Sequence, residues 1–267
     1  MKIDILDHGY IELIEHWGSD ERIIEAARMS TSKGFLGWGP EVEYKCTNCN
    51  YTQNDNEPID KHLRCPTQLC DRELVYRLVH HGDEKLLSYL YKNKHMTPFE
   101  MAGIIIEVQA PIFVFREWHR HRTQSYNELS ARYTELPNLF YTPSLERMLK
   151  SGQSKINKQS SDVALTQDHA IMCQGSMISL YEHARELYEG MLKDGVAKEI
   201  ARLVIPVAQY SRMRANANLR NWLQFLTLRM APNAQWEIRQ YANVVHEILT
   251  EKFPRAMQLF DEGEEEK

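Results

Sequence analysis

An apolar stretch that changes its periodicity at one proline constrains the fold of this chain most strongly. Residues 102–109 (AGIIIEVQ) contain three successive isoleucines, and a short β-branched run predicts a buried strand. Pro111 follows, and proline suits the first turn of a helix. That helix is predicted to turn a set of apolar side chains inward, namely Ile112, Phe113, Phe115 and Trp118. The basic segment HRHR, residues 119–122, follows at the end of this helix.

The rest of the chain predicts mixed helix and strand. Residues 1–30 have the pattern of a short strand and then a helix that Ser19 caps. Helical periodicity is predicted at Leu74, Val75 and Leu78, and again after Gly82. Further helices are predicted over 176–193, 196–204, 218–230 and 234–251. Residues 148–168 are predicted to form an exposed loop, and the last seven residues (DEGEEEK) a solvated acidic tail.

The bulk composition is that of an ordinary globular enzyme. Hydrophobic residues make up 43% and charged residues 26% of the 267 positions. No apolar run approaches a membrane span, and the N-terminus has no apolar signal core, so a cytoplasmic protein without membrane partners is expected. The net charge of −5 gives a polyanion such as DNA no global attraction.

Positive charge is nevertheless concentrated in one segment. Residues 116–132 hold four arginines and two histidines, opposed by Glu117 and Glu128. Arginine forms bidentate bonds with phosphate, so the cluster indicates either a pocket for a small anion or a basic solvated face that touches RNA. Charge alone does not separate the two.

The spacing within the segment does separate them. Arg120-His121-Arg122 is followed by Ser125, Asn127, Ser130, Arg132 and Tyr133. This resembles the signature RHR-x-x-S-x-N-x-x-S-x-R-Y of flavin-dependent thymidylate synthases, with every fixed position filled. Residues 95–100 (HMTPFE) and 201–206 (ARLVIP) are similar to two further elements of that family, and the likeness extends through residues 218–238.

The resemblance implies a function and an architecture. The family makes dTMP from dUMP, with 5,10-methylenetetrahydrofolate as the carbon donor, FAD as the hydride carrier and NADPH as the reductant. The implied fold is α+β, a central antiparallel sheet flanked by helices, in a homotetramer whose active sites form where subunits meet. One domain is expected over 1–267, with residues 36–72 inserted as a Cys-rich, zinc-ribbon-like segment.

The family's nucleotide-binding residues carry over onto two segments and two separate arginines. Arg202 and Arg132 are similar to the residues that hold the dUMP phosphate. The other implied dUMP contacts are Glu117, Trp118, His119, Arg120, Glu128, Leu129, Ser130, Ala131 and Arg229. Ser130 is either a nucleophile or a positioning residue near the uracil, and the second is favoured because no base adjoins it in sequence.

Arg229 resembles the family's catalytic arginine. A guanidinium beside the uracil carbonyl stabilises negative charge on N3 and O2 and makes C5 more nucleophilic. The alternative is an ordinary ion pair on a helix. Its apolar neighbours Phe225, Leu226 and Leu228 favour a buried or cleft position.

The implied FAD contacts are spread along the chain. They are His95, Thr97, Arg120, His121, Arg122, Glu128, Asn218, Leu219, Arg220 and Gln224. Asn218 could instead cap the following helix, and His95 could be a structural histidine. Arg220 and Gln224 are four residues apart and therefore share one helix face.

Two positions depart from the family pattern. Glu117 stands where the family often has glutamine, so its carboxylate should contact sugar or base or be neutralised by an arginine. Met101 replaces a histidine that usually follows the P-F-E element. Neither change removes a residue assigned to the chemistry.

Four of the five cysteines lie within 25 residues. Cys46 and Cys49 form C-x2-C, and Cys65 and Cys70 form C-x4-C. Two thiolate pairs in a polar segment favour a structural zinc ion over unmetallated thiols, although the second spacing is loose and His62 could replace one thiolate. The family chemistry needs no zinc.

Two other functions remain open on these residues. One is a zinc-ribbon nucleic-acid-binding protein that uses the HRHR cluster on phosphates, which the acidic net charge disfavours. The other is a flavoprotein of the same fold that oxidises NADPH without methylating uracil.

Overall fold

The computed structural model describes residues 1–55, 62–67, 70, 72–153 and 161–265. In chain order the strands are β1 (Lys2–Ile5), β2 (Gly9–Trp17), β3 (Glu41–Cys46), β4 (Thr52–Asp55), β5 (Leu74–His80), β6 (Gly103–Pro111), β7 (Ser125–Glu128), β8 (Gly152–Gln153), β9 (Ser161–Val163) and β10 (Tyr210–Asn218). The helices are α1 (Asp20–Arg28), α2 (Glu84–Lys92), α3 (Ile112–Trp118), α4 (Leu145–Leu149), α5 (Gln167–Lys193), α6 (Lys198–Ala201), α7 (Leu219–Arg229), α8 (Trp236–Lys252) and α9 (Pro254–Glu265). Short 3-10 helices cover Met29–Thr31, Thr97–Met101 and Arg202–Val204.

The chain divides into two compact units. The first comprises Met1–Trp17 and Gly103–Lys252, and the second Gly18–Ala102 and Phe253–Lys267. The predicted α+β class is confirmed, since the first unit contains an antiparallel sheet of order β1-β2-β6-β10-β7 with helices packed on it. Among the described helices, none has both the length and the apolarity that a membrane span requires.

The first unit is built on the strand–helix pair predicted around Pro111. Ile104, Ile106 and Val108 of β6 are fully buried, and β6 pairs with β2 on one side and β10 on the other. Pro111 is the last residue of the strand and the N-cap of α3. Phe115 and Trp118 are buried as predicted. Ile112 and Phe113 are only partly buried, which corrects the prediction that both point fully inward.

Strand β10 was not predicted. It alternates buried and exposed residues from Ser211 to Ala217 and pairs with β6 over its full length and with β7 at the sheet edge. Its inward residues include Met213 and Ala215, which are weak hydrophobic signals beside the polar residues that alternate with them. The predicted helices around β10 are confirmed as α5, α7 and α8, and residues 198–204 form a short helical segment in place of the longer predicted one.

The second unit contains a three-stranded sheet of order β4-β3-β5. The helix predicted at Leu74, Val75 and Leu78 is wrong, because these residues belong to β5 and pair with Cys46, Lys45 and Val42 of β3. Three- and four-residue spacing alone does not distinguish a helix from a strand in so short a segment. Ser19 caps α1 as predicted, since its hydroxyl accepts from Arg22 N at 3.4 Å.

Two predicted surface segments differ from expectation. Within residues 148–168, α4 continues to Leu149, β8 pairs with β9, and α5 begins at Gln167. Residues 154–160 of that predicted loop lie outside the described residues, as do 56–61, 68, 69 and 71 of the Cys-rich segment. The acidic tail is helical through residue 265, as the end of α9, and residues 266 and 267 lie outside the described residues.

Candidate active site

The turn that carries Arg120, His121 and Arg122 begins at Trp118, the last residue of α3. Trp118 is fully buried, its ring centroid lies 4.6 Å from that of Phe225, and it also packs against Trp222 and Tyr241. Its indole Nε1 donates to Gln124 Oε1 at 3.0 Å. The start of the turn is therefore held by the aromatic core of the first unit.

One tyrosine hydroxyl closes this turn. Tyr126 OH donates to the backbone oxygen of His121 at 2.8 Å and lies 3.2 Å from the backbone oxygen of Trp118 and from Gln124 Oε1. Tyr126 itself belongs to β7, where it pairs with Ala215 of β10. The turn that carries the RHR triplet is thus fixed at both ends.

Arg229, at the end of α7, meets this turn. Its Nε donates to His121 Nε2 at 2.9 Å, its Nη1 to Glu117 Oε2 at 2.5 Å and its Nη2 to the Glu117 backbone oxygen at 2.9 Å. The arginine side chain is 15% exposed and the glutamate side chain 43%. The structure thus has Glu117 neutralised by an arginine, one of the two arrangements predicted for it, in an ion pair whose guanidinium is largely buried and whose carboxylate is partly exposed.

His121 is held in its neutral form. Burial, and second to it the charge of the Arg229 guanidinium, together lower the pKa of His121 to about 4. Because Nε2 accepts from Arg229, any ring proton lies on Nδ1. His121 is therefore a neutral hydrogen-bond acceptor that orients Arg229.

The same unit contains a pocket of about 200 Å³. It is lined by Ile112, Glu128, Leu129, Ser130, Ala131, Leu136, Arg202, Ile205 and Ser211. Five of these residues were predicted to contact dUMP. Arg202 and the segment 128–131 are more than 70 positions apart in sequence, and the fold brings them to one concave surface.

Ser130 lies in the pocket without an activating base. Its Oγ accepts from Arg132 N at 3.3 Å. Among the described residues that line the pocket, Glu128 supplies a carboxylate and no histidine is present. A serine without a base is a weak nucleophile, so the geometry suits a positioning role.

Arg132, the second predicted phosphate ligand, is engaged elsewhere on the surface. Its Nε donates to Glu199 Oε2 at 2.9 Å, with both side chains at least half exposed. Such a pair is held weakly in water. Arg132 can therefore exchange this carboxylate for another anion at little cost.

The predicted contact residues differ in how far their side chains reach solvent. Trp118 and Leu219 are fully buried, so any contact of theirs to a ligand is through the backbone. His119 is partly buried and stacks on Phe115, whereas Arg120 and Arg122 are exposed.

The predicted FAD residues fall into both units. In the first, Asn218 caps α7, because its Oδ1 accepts from Asn221 N at 3.0 Å, which confirms the capping alternative. Arg220 and Gln224 are exposed on the same helix. In the second unit, His95 and Thr97 are exposed near the end of α2, and the His95 ring meets Tyr89 edge to face at 5.7 Å.

Four pocket residues were missed by the sequence analysis, namely Ile112, Leu136, Ile205 and Ser211. Ser211 belongs to the unpredicted strand β10, whose alternation of polar residues with Met213, Ala215 and Ala217 was the available signal. Ile112 was predicted to point into the core, and it faces the pocket because it begins α3.

The four clustered cysteines converge in the second unit. The Sγ atoms of Cys46, Cys49, Cys65 and Cys70 all lie within 4.8 Å of one another. Among the described residues, this group contains the four thiols and does not include His62. All four cysteines are free thiols.

Comparison with known proteins gives matches along almost the whole chain. The family model described as Thymidylate synthase complementing protein matches residues 12–255. A flavin-dependent thymidylate synthase of Thermus thermophilus is 35% identical over 262 residues, covering 98% of this chain and 79% of that protein. One from Wolbachia pipientis wMel is 36% identical, covering 97% of this chain and 75% of that protein.

Solved structures match as well. The UMP/dUMP methylase PolB of Streptomyces cacaoi, bound with 5-Br UMP, superposes with a TM-score of 0.72 at 28% identity, covering 97% of this chain and 96% of that chain. The same protein bound with 5-Br dUMP gives a TM-score of 0.71 over 97% of both chains.

Proposed function

The chain belongs to the flavin-dependent thymidylate synthase family, and from that premise we propose that it converts dUMP to dTMP by reductive methylation. The carbon donor is 5,10-methylenetetrahydrofolate, the hydride carrier FAD and the reductant NADPH. The observation that supports this most is the convergence of Arg202 with residues 128–131 in one pocket. A nucleic-acid-binding function is not favoured, because the family match includes the whole basic cluster.

Arg202 and Arg132 are proposed to hold the dUMP phosphate. Arg202 lines the pocket, and Arg132 leaves a weak surface pair with Glu199 to join it. Arginine binds phosphate bidentately, which fixes the orientation of the nucleotide as well as its affinity. Ser130, between the two, positions the pyrimidine.

Arg229 is proposed to be the catalytic residue. Two of its three hydrogen bonds, to His121 Nε2 and to the Glu117 backbone oxygen, hold the guanidinium without using a charged partner. The third partner, the Glu117 carboxylate, is partly exposed and is the one that the uracil O2 replaces. Nη1 then faces the oxygen on which negative charge develops when C5 attacks the carbon donor.

The FAD contacts proposed for this chain are mainly cationic or polar and exposed. Arg120, Arg122 and Arg220 suit the diphosphate, since they are the charged members of the set. Asn218, Leu219 and Gln224 follow at the start of α7 and along it, His121 and Glu128 lie on the turn after α3 and on β7, and His95 and Thr97 complete the proposed set. When bound, FAD supplies the hydride for the reduction.

A homotetramer is proposed to complete the site. Helix α5 exposes a series of large apolar side chains, namely Ile171, Met172, Ile178, Leu180 and Leu187, each at least 42% exposed. These residues lie on more than one side of the helix, and a helix that is apolar on several sides is typically buried between neighbouring elements. The pocket of about 200 Å³ in one chain is also smaller than most ligand sites, as expected if another subunit contributes. Light scattering on the purified protein measures the assembly, and a monomer at assay concentration would contradict it.

Tritium release from [5-³H]dUMP tests the function. We expect release that depends on methylenetetrahydrofolate and NADPH and increases with added FAD. [5-³H]UMP serves as a second substrate, since PolB is a UMP/dUMP methylase. NADPH oxidation without tritium release from either nucleotide would leave the flavoprotein alternative and reject the synthase.

Arg202→Ala tests the phosphate assignment. Loss of a charge-assisted bond of about 1.5–3 kcal/mol should raise KM for dUMP by roughly 10- to 100-fold with a smaller change in kcat. Arg212→Ala is the matched control, because Arg212 is an exposed arginine of β10 that does not line the pocket. Equal KM values for the two variants would remove Arg202 from the phosphate site.

A further inference from the structure

The four clustered cysteines have no part in the proposed reaction, yet their thiols are arranged more closely than unrelated side chains would be. Cys46 Sγ lies 3.6 Å from Cys70 Sγ, and Cys49 Sγ lies 3.5 Å from Cys65 Sγ. Four sulfurs around one tetrahedral ion at about 2.3 Å stand roughly 3.8 Å apart. The observed spacing therefore matches the corners of a tetrahedron around a single ion.

The backbone prepares both pairs for this arrangement. Cys46 lies at the end of β3, and its N–H donates to Tyr51 O at 3.0 Å, which closes the loop holding Cys49. Cys65 N donates to Arg72 O at 2.9 Å, and Cys70 N donates to Thr67 O at 3.0 Å. These two bonds hold Cys65 and Cys70 to described residues on each other's side of the segment.

Polar groups also surround the sulfurs. Asn48 N donates to Cys46 Sγ at 3.3 Å, and Asn48 Nδ2 donates to Cys70 Sγ at 3.6 Å. Cys65 Sγ donates to Thr67 Oγ1 at 3.2 Å, and that oxygen lies 3.7 Å from Cys49 Sγ. N–H donors such as those of Asn48 orient metal-bound sulfur.

The surrounding core is too small to explain the burial of the thiols. Among the described residues, the buried cluster consists, apart from the cysteines, of Val42, Tyr44 and Leu74, with Tyr51, Leu63 and Leu78 partly buried against it. So small an apolar cluster gains little from burial alone, and metal binding commonly supplies the missing folding free energy.

We propose that Cys46, Cys49, Cys65 and Cys70 bind one structural zinc ion that holds β3, β4 and β5 together. Zinc is the ion that four thiolates in a compact tetrahedron select. An iron–sulfur cluster places iron and inorganic sulfide between its cysteines and needs them farther apart than these atoms are. A four-thiolate site has no open position, so the ion has a structural role and takes no substrate.

Metal analysis of the full-length protein, expressed in zinc-supplemented medium, tests the site. We expect about one zinc per chain in the wild type and in Cys173→Ser, which removes the fifth cysteine outside the cluster. Cys46→Ser and Cys70→Ser should each lower the zinc content at least 10-fold. Folded wild-type protein without zinc, or with iron in its place, would overturn the proposal, and so would full zinc content in both cluster variants.

A second measurement covers the case in which the serine variants do not fold. Titration of the native wild type with a mercurial reagent, in the presence of a chromophoric zinc chelator, should release one zinc as four thiols react. Zinc release that is complete before the cluster thiols react, or thiols that become reactive only after reduction, would contradict a four-thiolate site. Neither readout depends on thymidylate synthesis, so failure here leaves the proposed function untouched.

Discussion

The two main sheets of this protein are both antiparallel, but their interiors differ in kind. The β1-β2-β6-β10-β7 sheet contributes fully buried aliphatic residues such as Ile104 and Ile106, and Trp222 Nε1 on the covering helix α7 donates to Ile104 O at 3.3 Å. In the described part of the β4-β3-β5 region, the buried cluster contains three apolar side chains and three thiols. The first sheet is stabilised by burial, and the second, on our proposal, by a metal ion.

The difference indicates how the two regions divide their tasks. Apolar burial is non-directional and does not fix the polar residues at the surface, so the unit that holds the larger sheet can also carry the Arg229 cluster and the proposed nucleotide pocket. A metal site fixes a few backbone segments through specific bonds and requires little volume. Four predictions test whether the catalytic residues and the stabilisation by apolar burial belong to the region of the larger sheet.

The largest effect is expected at Arg229. Arg229→Ala removes the group proposed to stabilise charge on the uracil, and kcat should fall about 10³-fold or more. Zinc content should not change, because the cysteines belong to the other region. Leu228→Ala, at an exposed position of the same helix, is the control. Turnover of Arg229→Ala within tenfold of the wild type would remove Arg229 from the chemistry.

A core truncation in the larger sheet comes next. Ile106→Ala removes three buried carbons of β6 and should lower the free energy of unfolding by about 2–5 kcal/mol. Denaturant unfolding followed by the fluorescence of the buried tryptophans Trp118 and Trp222 measures the loss. Zinc per chain should stay at the wild-type value. A drop in zinc content at moderate denaturant, together with the fluorescence change, would show that the two regions are not stabilised separately.

The pH dependence of stability should be traceable to His121. Its pKa is lowered to about 4 in the folded protein, from an unfolded value near 6.5. Between these values the unfolded state binds more protons, so the stabilisation is fully present above pH 6.5 and is lost as the pH falls towards 4, by roughly 3 kcal/mol in total. His121→Gln should flatten the curve between pH 7 and 5. An unchanged slope in the variant would assign that titration to other groups.

The smallest effect concerns the cap of α7. Asn218→Ala removes the acceptor for Asn221 N and should cost about 1 kcal/mol, whereas Asn218→Ser retains the cap and costs a few tenths. FAD binding, measured by flavin fluorescence, separates capping from ligand contact. If Asn218 only caps the helix, the serine variant binds FAD as the wild type does, and weaker binding by that variant assigns Asn218 to the flavin.

The sequence predicted those parts of the fold that local patterns determine. Pro111 marked the junction between β6 and α3, Ser19 marked the start of α1, and the periodicity of residues 218–230 marked α7. β10 was missed because its inward positions are mostly Met213 and alanines, and β5 was mistaken for a helix because its spacing fits both. In each miss, pairing with a distant strand decided the conformation.

The site shows the same limit. The resemblance identified Glu128 and Ser130, but their meeting with Arg202 depends on how α6 follows the 27-residue helix α5. Neutralisation of Glu117 by an arginine was one of two predicted arrangements, but the sequence did not identify Arg229, 112 residues away, as the partner. The sequence identified residues of the site, but not the directions in which their side chains point.

The pairing of β7 with β10 distributes the residues of the signature over the two faces of the sheet. Tyr126 and Glu128 pair with Ala215 and Met213, so they share the face that carries these two buried residues, while Asn127 pairs with Arg214 on the other. A shift of β7 by one residue against β10 would exchange the two faces and turn Glu128 away from the pocket that it lines. The strand register therefore decides which residues of the signature face the pocket.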